Sequence, residues 1–166
     1  MARYMEIRLD KRGVACVAKL LDEDAPETCD IVWSALPLSG DVSHAKYASN
    51  EIYTLVPPIR GSEPGLENPT VVPAAGDVVY FYFPKGELGV RWMRDRGFSA
   101  LPGLVDLALF YGRNNFLFNP ATGFVPGNVY ATIVENFEVF AKAANDVWKS
   151  GAVGETLSYR RLEDRD

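Results

Sequence analysis

Alternating apolar and polar positions near the start of the chain predict a β-hairpin. Met5, Ile7 and Leu9 share one face of a first strand, and residues 14–20 continue the same period of two. Gly13 ends the short polar turn between them, where glycine tolerates a left-handed backbone. The first twenty residues are therefore predicted to form two paired strands.

Two segments carry a helical period instead. The first begins around Pro26 with Asp24 as its predicted N-cap, and its predicted core stripe is Cys29, Val32, Trp33 and Leu36. The second lies between a predicted cap at Asn136 and a stop at Gly151, and its stripe is Phe137, Phe140, Ala141, Ala144 and Trp148. Each helix is expected to bury its stripe against the strands.

Further apolar runs predict strands at 42–47, 51–56, 78–83, 105–111, 129–134 and 156–162. The run 78–83 is β-branched and aromatic on both faces, so both faces must be covered. Such a strand suits a small closed barrel with helices over its openings. The predicted fold class is α+β, a closed β-barrel of about eight strands with two capping helices, as a single domain over residues 1–166.

Residues 85–103 interrupt the strand pattern with four glycines and a group of charged residues: Arg91, Arg94, Asp95 and Arg96. We predict a mobile insertion whose arginines form a solvated loop face.

Composition narrows the function classes. The net charge is −5, which argues against nucleic acid as a partner, because phosphate binding needs a basic face. The apolar runs are far shorter than the roughly 20 residues that cross a bilayer, and no signal peptide is visible, so a cytoplasmic protein is expected. Cys16 and Cys29 are predicted to be buried free thiols. With His44 as the single histidine, no metal site is predicted, and no cofactor is expected.

Three segments carry a resemblance to a known family. Residues 50–53 (Asn-Glu-Ile-Tyr), 76–80 and 106–113 are similar to a bacterial family of cyclophilin-like proteins of unknown function. In addition, the helix that follows Asp24 resembles the first helix of cyclophilins. The likeness covers most of the chain outside 85–103. It implies a cyclophilin-like barrel and brings no activity with it.

The same resemblance bears on prolyl isomerase activity. Cyclophilins of that type carry an arginine just before the proline that ends the strand, and Thr54 stands at that position here. Their glutamine is also missing, since residues 59–62 read Ile-Arg-Gly-Ser. The resemblance therefore implies a protein without prolyl isomerase activity.

Polar residues among the strands provide the candidate chemistry. Glu51 and Tyr53 share a strand face, and His44 precedes Glu51 by seven residues, so a tight turn would bring them together. A glutamate beside a histidine orients the ring and raises its basicity. His44 and Glu51 are the candidate catalytic residues. The alternative is a hydrogen-bonded surface histidine and an acid at a strand end.

Other residues are candidates for ligand binding. Arg113 and Asn114 follow an apolar strand, where a guanidinium binds carboxylates bidentately and an amide fixes a small molecule. Tyr82 and Tyr111 join Tyr53 as candidates that line a pocket with hydroxyl groups. The alternatives are a turn of residues that tolerate left-handed geometry and ordinary core packing.

Asp106 is the unusual charge, because it lies inside the apolar run 105–111. Burial would raise its pKa unless a cation such as Arg113 or Arg91 pairs with it.

These observations favour a protein that binds a small anionic or amide-bearing molecule in a pocket at one barrel end. Two alternatives stay open. One is a small-amide hydrolase or lyase with Glu51 or His44 as general base, and the other is an accessory subunit of a metabolic enzyme. A homo-oligomer is compatible with the sequence.

Overall fold

Eight antiparallel strands close into a barrel. The computed structural model describes residues 2–87 and 90–162. Its strands are β1 (Tyr4–Leu9), β2 (Val14–Leu20), β3 (Leu38–His44), β4 (Glu51–Val56), β5 (Pro69–Thr70), β6 (Asp77–Pro84), β7 (Gly103–Phe110), β8 (Phe118–Asn119), β9 (Gly123–Phe124), β10 (Gly127–Glu135) and β11 (Thr156–Leu162). The helices are α1 (Pro26–Ala35), α2 (Val90–Asp95) and α3 (Phe137–Ser150).

The order around the barrel is β2-β1-β11-β3-β4-β7-β6-β10, and β10 returns to β2. A β-bulge helps β10 complete this closure. Val129 pairs with Val79 and Ala131 pairs with Val78, so Tyr130 is an extra residue on β10. Bulges of this kind increase the local twist of a strand, which a closed barrel requires. The predicted closed barrel is confirmed.

Two apolar clusters use the two faces of the sheet. The interior cluster takes residues from all eight barrel strands, among them Met5, Leu20, Val42, Ile52, Val78, Leu107, Leu109, Tyr130 and Tyr159. A second cluster covers the outer face of β4, β7, β6 and β10 and includes Val79, Phe81, Ala108, Phe110 and Leu117. This second cluster explains why 78–83 is apolar on both faces.

The helices depart from their predicted form in several places. Trp148 of the predicted α3 stripe is 63% exposed, and Val147 is buried in its place. Trp33 of α1 is half-buried, with the guanidinium groups of Arg3 and Arg161 5.6 and 5.2 Å from its ring centre. Asn136 is the N-cap of α3 but makes no side-chain cap bond.

Strand and helix bounds also differ from the predicted ones. The predicted strand 42–47 is β3, which starts at Leu38 and ends at His44. A third helix, α2, lies within the segment predicted as a mobile insertion. That prediction also falls on residues 88 and 89, which lie outside the described residues. Among the described residues, we find no helix with the length and apolarity needed to cross a membrane.

The N-terminus of α1 is capped from a distant loop. The N-cap residue is Ala25 rather than the predicted Asp24, and it has no side-chain cap. Instead, the Glu67 carboxylate accepts hydrogen bonds from the backbone N–H groups of Glu27 and Thr28 at 2.9 and 2.8 Å and from the Thr28 hydroxyl at 2.6 Å. Glu67 therefore satisfies donors that every helix leaves open at its start.

We expect Glu67→Gln to lower the free energy of unfolding by about 1 kcal/mol at pH 7, the usual scale for loss of a cap. Desolvation opposes ionisation of Glu67, but its three hydrogen bonds outweigh it and lower the pKa. Because the folded pKa is depressed, the contribution is present above the ordinary glutamate pKa and is lost as the pH falls through the folded value. Urea unfolding at pH 7 and pH 3 measures this contribution to stability. Glu23→Gln, a substitution at an exposed position, is the control. Equal stability of variant and wild type at pH 7 would contradict the cap.

Candidate functional site

The structure does not bring the two candidate catalytic residues together. His44 of β3 pairs with Ile52 of β4, and Ile52 is buried in the barrel interior. Side chains alternate along a strand, so Glu51 points away from the face that Ile52 and His44 share. His44 therefore lies on the inner side of the sheet, and Glu51 lies on the outer side.

His44 helps to close one barrel end. Its Nδ1 lies 2.8 Å from the carbonyl oxygen of Ala45, and its Nε2 lies 2.6 Å from the hydroxyl of Tyr111. A carbonyl only accepts, so Nδ1 carries the proton and the neutral ring accepts from Tyr111 at Nε2. The ring also packs on Trp148 of α3 at 4.9 Å between centroids. Burial lowers the pKa of His44, which keeps the ring neutral in this packing.

Arg113 and Asn114 form an exposed turn. Both side chains are exposed, and Asn114 adopts the left-handed φ of 63°. The Asn50 side chain donates to the Arg113 carbonyl at 2.7 Å. The amide that fixes this turn is Asn115, which is buried and donates to the carbonyls of Pro73 and Gly112 at 2.9 and 2.7 Å. The geometry agrees with a turn rather than with a carboxylate-binding guanidinium.

The two tyrosines predicted to line the pocket with Tyr53 lie at opposite ends of the barrel. Tyr82 pairs with Val105, whereas Tyr111 follows the last residue of β7. Val105 and Tyr111 are six residues apart along the strand, a distance of about 20 Å. Tyr82 lies over Gly103, where an added Cβ would meet the tyrosine hydroxyl at 2.4 Å. Tyr82 and Tyr111 therefore do not line one pocket.

A surface cleft of about 340 Å³ lies elsewhere and is lined by Lys11, Arg12, Asp146, Ser150, Gly151 and Val153. Two of its charges bind each other, since Arg12 contacts Asp146 at 2.8 Å. Arg12 also contacts Glu155 at 2.9 Å, and Lys11 donates to the Val153 carbonyl at 2.9 Å. These contacts tie the first hairpin to α3, so we assign the cleft a structural role.

Two acids and a tyrosine instead form a patch on the outer face of the sheet, which we call the acid patch: Glu51, Tyr53 and Asp106. Glu51, Tyr53 and Leu55 follow one another at intervals of two residues along β4, so their side chains share one face. Asp106 of β7 pairs with Leu55. All three therefore point to the same side. Glu51 is 6% exposed and Asp106 is 7% exposed.

Burial changes the ionisation of both acids. It raises the pKa of Glu51 to about 8. Burial, followed by the negative charge of Glu51, also raises the pKa of Asp106 well above its usual range. The pair therefore holds at least one proton near neutral pH. Oδ1 of Asp106 has no hydrogen-bond partner in the described part of the chain, so neither Arg113 nor another described cation neutralises that oxygen. The side chain of Arg91 lies outside the described residues.

Tyr53 connects the patch to its surroundings. Burial, and then the charges of Asp106 and Glu51, raise the pKa of its hydroxyl to about 12, against smaller opposing effects of Arg96 and of a hydrogen bond to Ser43. Ser43 lies directly opposite in β3. Arg96 is exposed in the stretch after α2, so that stretch lies within electrostatic reach of the patch.

The acid patch has the properties that acid–base chemistry needs. A carboxyl with a pKa near the working pH both accepts and returns a proton. Perturbed and buried titratable groups cluster at functional sites. Within residues 2–87 and 90–162, no group of three or more His, Cys, Asp and Glu side chains could hold a metal ion.

Sequence reasoning found part of this patch. Asp106 was recognisable as a charge within an apolar strand, and Glu51 and Tyr53 as polar residues on one strand face. Ser43 and Arg96 were missed, because neither residue type nor spacing showed that they approach Tyr53.

We expect the protein not to accelerate prolyl cis/trans isomerisation. Thr54, at the position of the cyclophilin arginine, is fully buried, and its hydroxyl donates to the Asp41 carbonyl at 3.0 Å. It therefore offers no cation to a peptide. A standard prolyl peptide assay, compared with heat-treated protein, measures this. Acceleration clearly above that control would contradict the prediction.

Comparison with known proteins supports the fold. McbB, whose structure was solved in complex with tryptophan, matches with a TM-score of 0.68 and 18% identity over 98% of this chain. The match covers 46% of McbB, so this chain spans about half its length. The hypothetical protein AF2241 from Archaeoglobus fulgidus, solved in solution, matches with a TM-score of 0.50 and 20% identity over 97% of this chain and 95% of its own.

No curated protein matches the chain significantly. A family model described as "Protein of unknown function (DUF3830)" matches residues 7–159, which is most of the sequence. The chain therefore belongs to the DUF3830 family of proteins of unknown function.

Proposed function

We propose that this protein is a small-molecule enzyme built on a cyclophilin-like barrel, with Glu51 as general base and Asp106 as its acidic partner. The observation that carries the proposal is Oδ1 of Asp106, which has no hydrogen-bond partner among the described residues and lies in the same buried patch as Glu51. A buried polar atom without a partner costs free energy, roughly 1–3 kcal/mol. A substrate group that hydrogen-bonds to this oxygen would remove that cost.

The chemistry of the patch selects between the two expected ligand types. An anion would meet two acids, so the anionic ligand is the poorer choice. An amide suits the pair, because a protonated carboxyl donates to its carbonyl and an ionised carboxyl accepts from its N–H group. We therefore propose an amide-bearing substrate and a hydrolase or lyase reaction.

His44 takes no part in this mechanism. It lies on the other face of the sheet, and both ring nitrogens already have partners. Of the two bases considered, Glu51 is the one with the raised pKa of about 8.

Access to the patch is from the outer face. Both acids are nearly covered, so we propose that residues 93–103, which bring Arg96 towards Tyr53, move when the substrate enters. McbB shares this fold over 46% of its length and was solved with tryptophan. A small molecule is therefore a known ligand of one protein with this fold.

The test is a screen of small amides by thermal shift and by turnover, with wild type, Glu51→Gln, Asp106→Asn and the control Glu23→Gln. We expect a stabilising and consumed compound with wild type and with the control. Turnover should fall at least 100-fold in Glu51→Gln, the lower range for loss of a general base (about 10²–10⁴). Equal turnover in Glu51→Gln and wild type would overturn the assignment of the base.

A further inference from the structure

Three phenylalanine rings pack against one another on the outside of the protein, at the hairpin of β8 and β9. The ring centres of Phe116 and Phe118 lie 6.0 Å apart, and each lies 5.4 Å from that of Phe124. The three residues are nevertheless 46%, 40% and 59% exposed. Leu117, between the first two, is buried in the outer cluster and holds the hairpin against the barrel. We call the exposed rings the phenylalanine face; a contiguous apolar surface of this kind is typical of an interaction site.

The chain around this face carries no charge. Residues 68–76 and 114–134 contain no Asp, Glu, Lys, Arg or His. The two segments lie side by side, since the Leu117 N–H group donates to the Val71 carbonyl at 2.8 Å. Val72, the next residue of the first segment, is exposed and apolar. The phenylalanine face therefore lies in an uncharged part of a chain whose net charge is −5.

We propose that two copies of this protein form a two-fold symmetric dimer through the phenylalanine face. The segments that carry the face offer no charge to pair with nucleic acid or with a charged peptide. Two copies repel each other through their net charge of −5, and this repulsion is smallest when they meet through uncharged surfaces. A two-fold interface places the same surface on both sides, so an apolar face matches its own copy. The inference is independent of the proposed function, because neither acid of the acid patch takes part.

The area of the face sets the expected strength of the dimer. At about 200 Å² for each aromatic side chain, the three rings leave roughly 300 Å² in contact with water. A standard interface buries about 800 Å² on each partner. The rings would form the centre of the interface, and the uncharged residues around them would form its rim. We therefore expect a weak dimer, with a Kd of about 10–100 µM.

Sedimentation velocity of the full chain, from about 1 to 500 µM, tests the inference. Phe124→Lys should weaken the dimer at least about tenfold, because it places two ammonium groups in an apolar interface. Lysine also lowers the net negative charge, so greater overall repulsion cannot explain the loss. The matched control is Val139→Lys at an exposed apolar position of α3, which should change the Kd less than about twofold.

Salt gives a second measurement on wild type. Raising the ionic strength from about 0.05 to 0.5 M should strengthen the dimer, because salt screens the repulsion between two negatively charged copies. A dimer that weakens with salt would depend on ion pairs and would overturn the inference.

The position of the interface is also measurable without a variant, which keeps the test valid if Phe124→Lys does not fold. Amide chemical shifts of wild type that change with protein concentration should be confined to residues 70–73 and 114–126. Changes on another face, or a monomer at the highest concentration, would overturn the inference. A protein that stays monomeric and binds neutral phosphatidylcholine vesicles through Phe124 would also overturn it, since lipid would then cover the face.

Discussion

At pH 8, Glu51→Gln is expected to raise the free energy of unfolding by roughly 2–5 kcal/mol. Burial raises the pKa of Glu51 from its usual 4.5 to about 8. Between these values the unfolded chain is ionised while the folded chain holds the proton, so wild-type stability falls as the pH rises. Gln stays neutral at every pH and therefore avoids this cost.

Urea unfolding of wild type and Glu51→Gln at pH 5, 7 and 8 measures the effect. The two proteins should differ little at pH 5, and the difference should grow up to pH 8. Glu23→Gln, at an exposed position, should follow the wild-type profile. A variant that is less stable than wild type at all three pH values would show that the fold stabilises the Glu51 carboxylate.

If Glu51→Gln raises the free energy of unfolding and also lowers activity, Glu51 is a functional acid and not a structural one. A structural acid, such as Glu67 at the start of α1, stabilises the fold through hydrogen bonds to backbone N–H groups. Glu51→Gln is expected to stabilise the fold, the opposite of Glu67→Gln, because burial opposes the ionisation of Glu51. Proteins retain such costly groups chiefly where their chemistry is used.

The barrel was predictable because the first hairpin alternates with a period of two and the strand at 78–83 is apolar on both faces, both of which must be covered. The sequence could not show that His44 and Glu51 lie on opposite faces of the sheet, because their distance along the chain does not fix which face each side chain takes. The register of β3 and β4 decides it, and it places His44 opposite Ile52. A shift of one residue would reverse the face of His44 relative to Glu51.

Helix faces raise a related difficulty in α3. A stripe of Phe140, Ala144 and Trp148 and one of Phe140, Ala144 and Val147 both fit helical spacing. The sequence favoured the larger residue, Trp148. In the structure Val147 is buried, and Trp148 covers His44 from outside while remaining 63% exposed. The choice depends on the direction in which α3 crosses the barrel opening, and local spacing does not determine that direction.

Phe140→Ala is expected to lower the free energy of unfolding by about 3–5 kcal/mol, the range for removal of a buried aromatic side chain. Phe140 is fully buried in the interior cluster, and the small residue Ala144 beside it cannot fill the space. Trp148→Ala should cost about 1 kcal/mol or less, because an exposed ring removes little apolar surface from water. Urea unfolding at pH 7 compares the two variants. If Trp148→Ala cost as much as Phe140→Ala, Trp148 would belong to the core and α3 would cross the barrel end with the face that the sequence predicted.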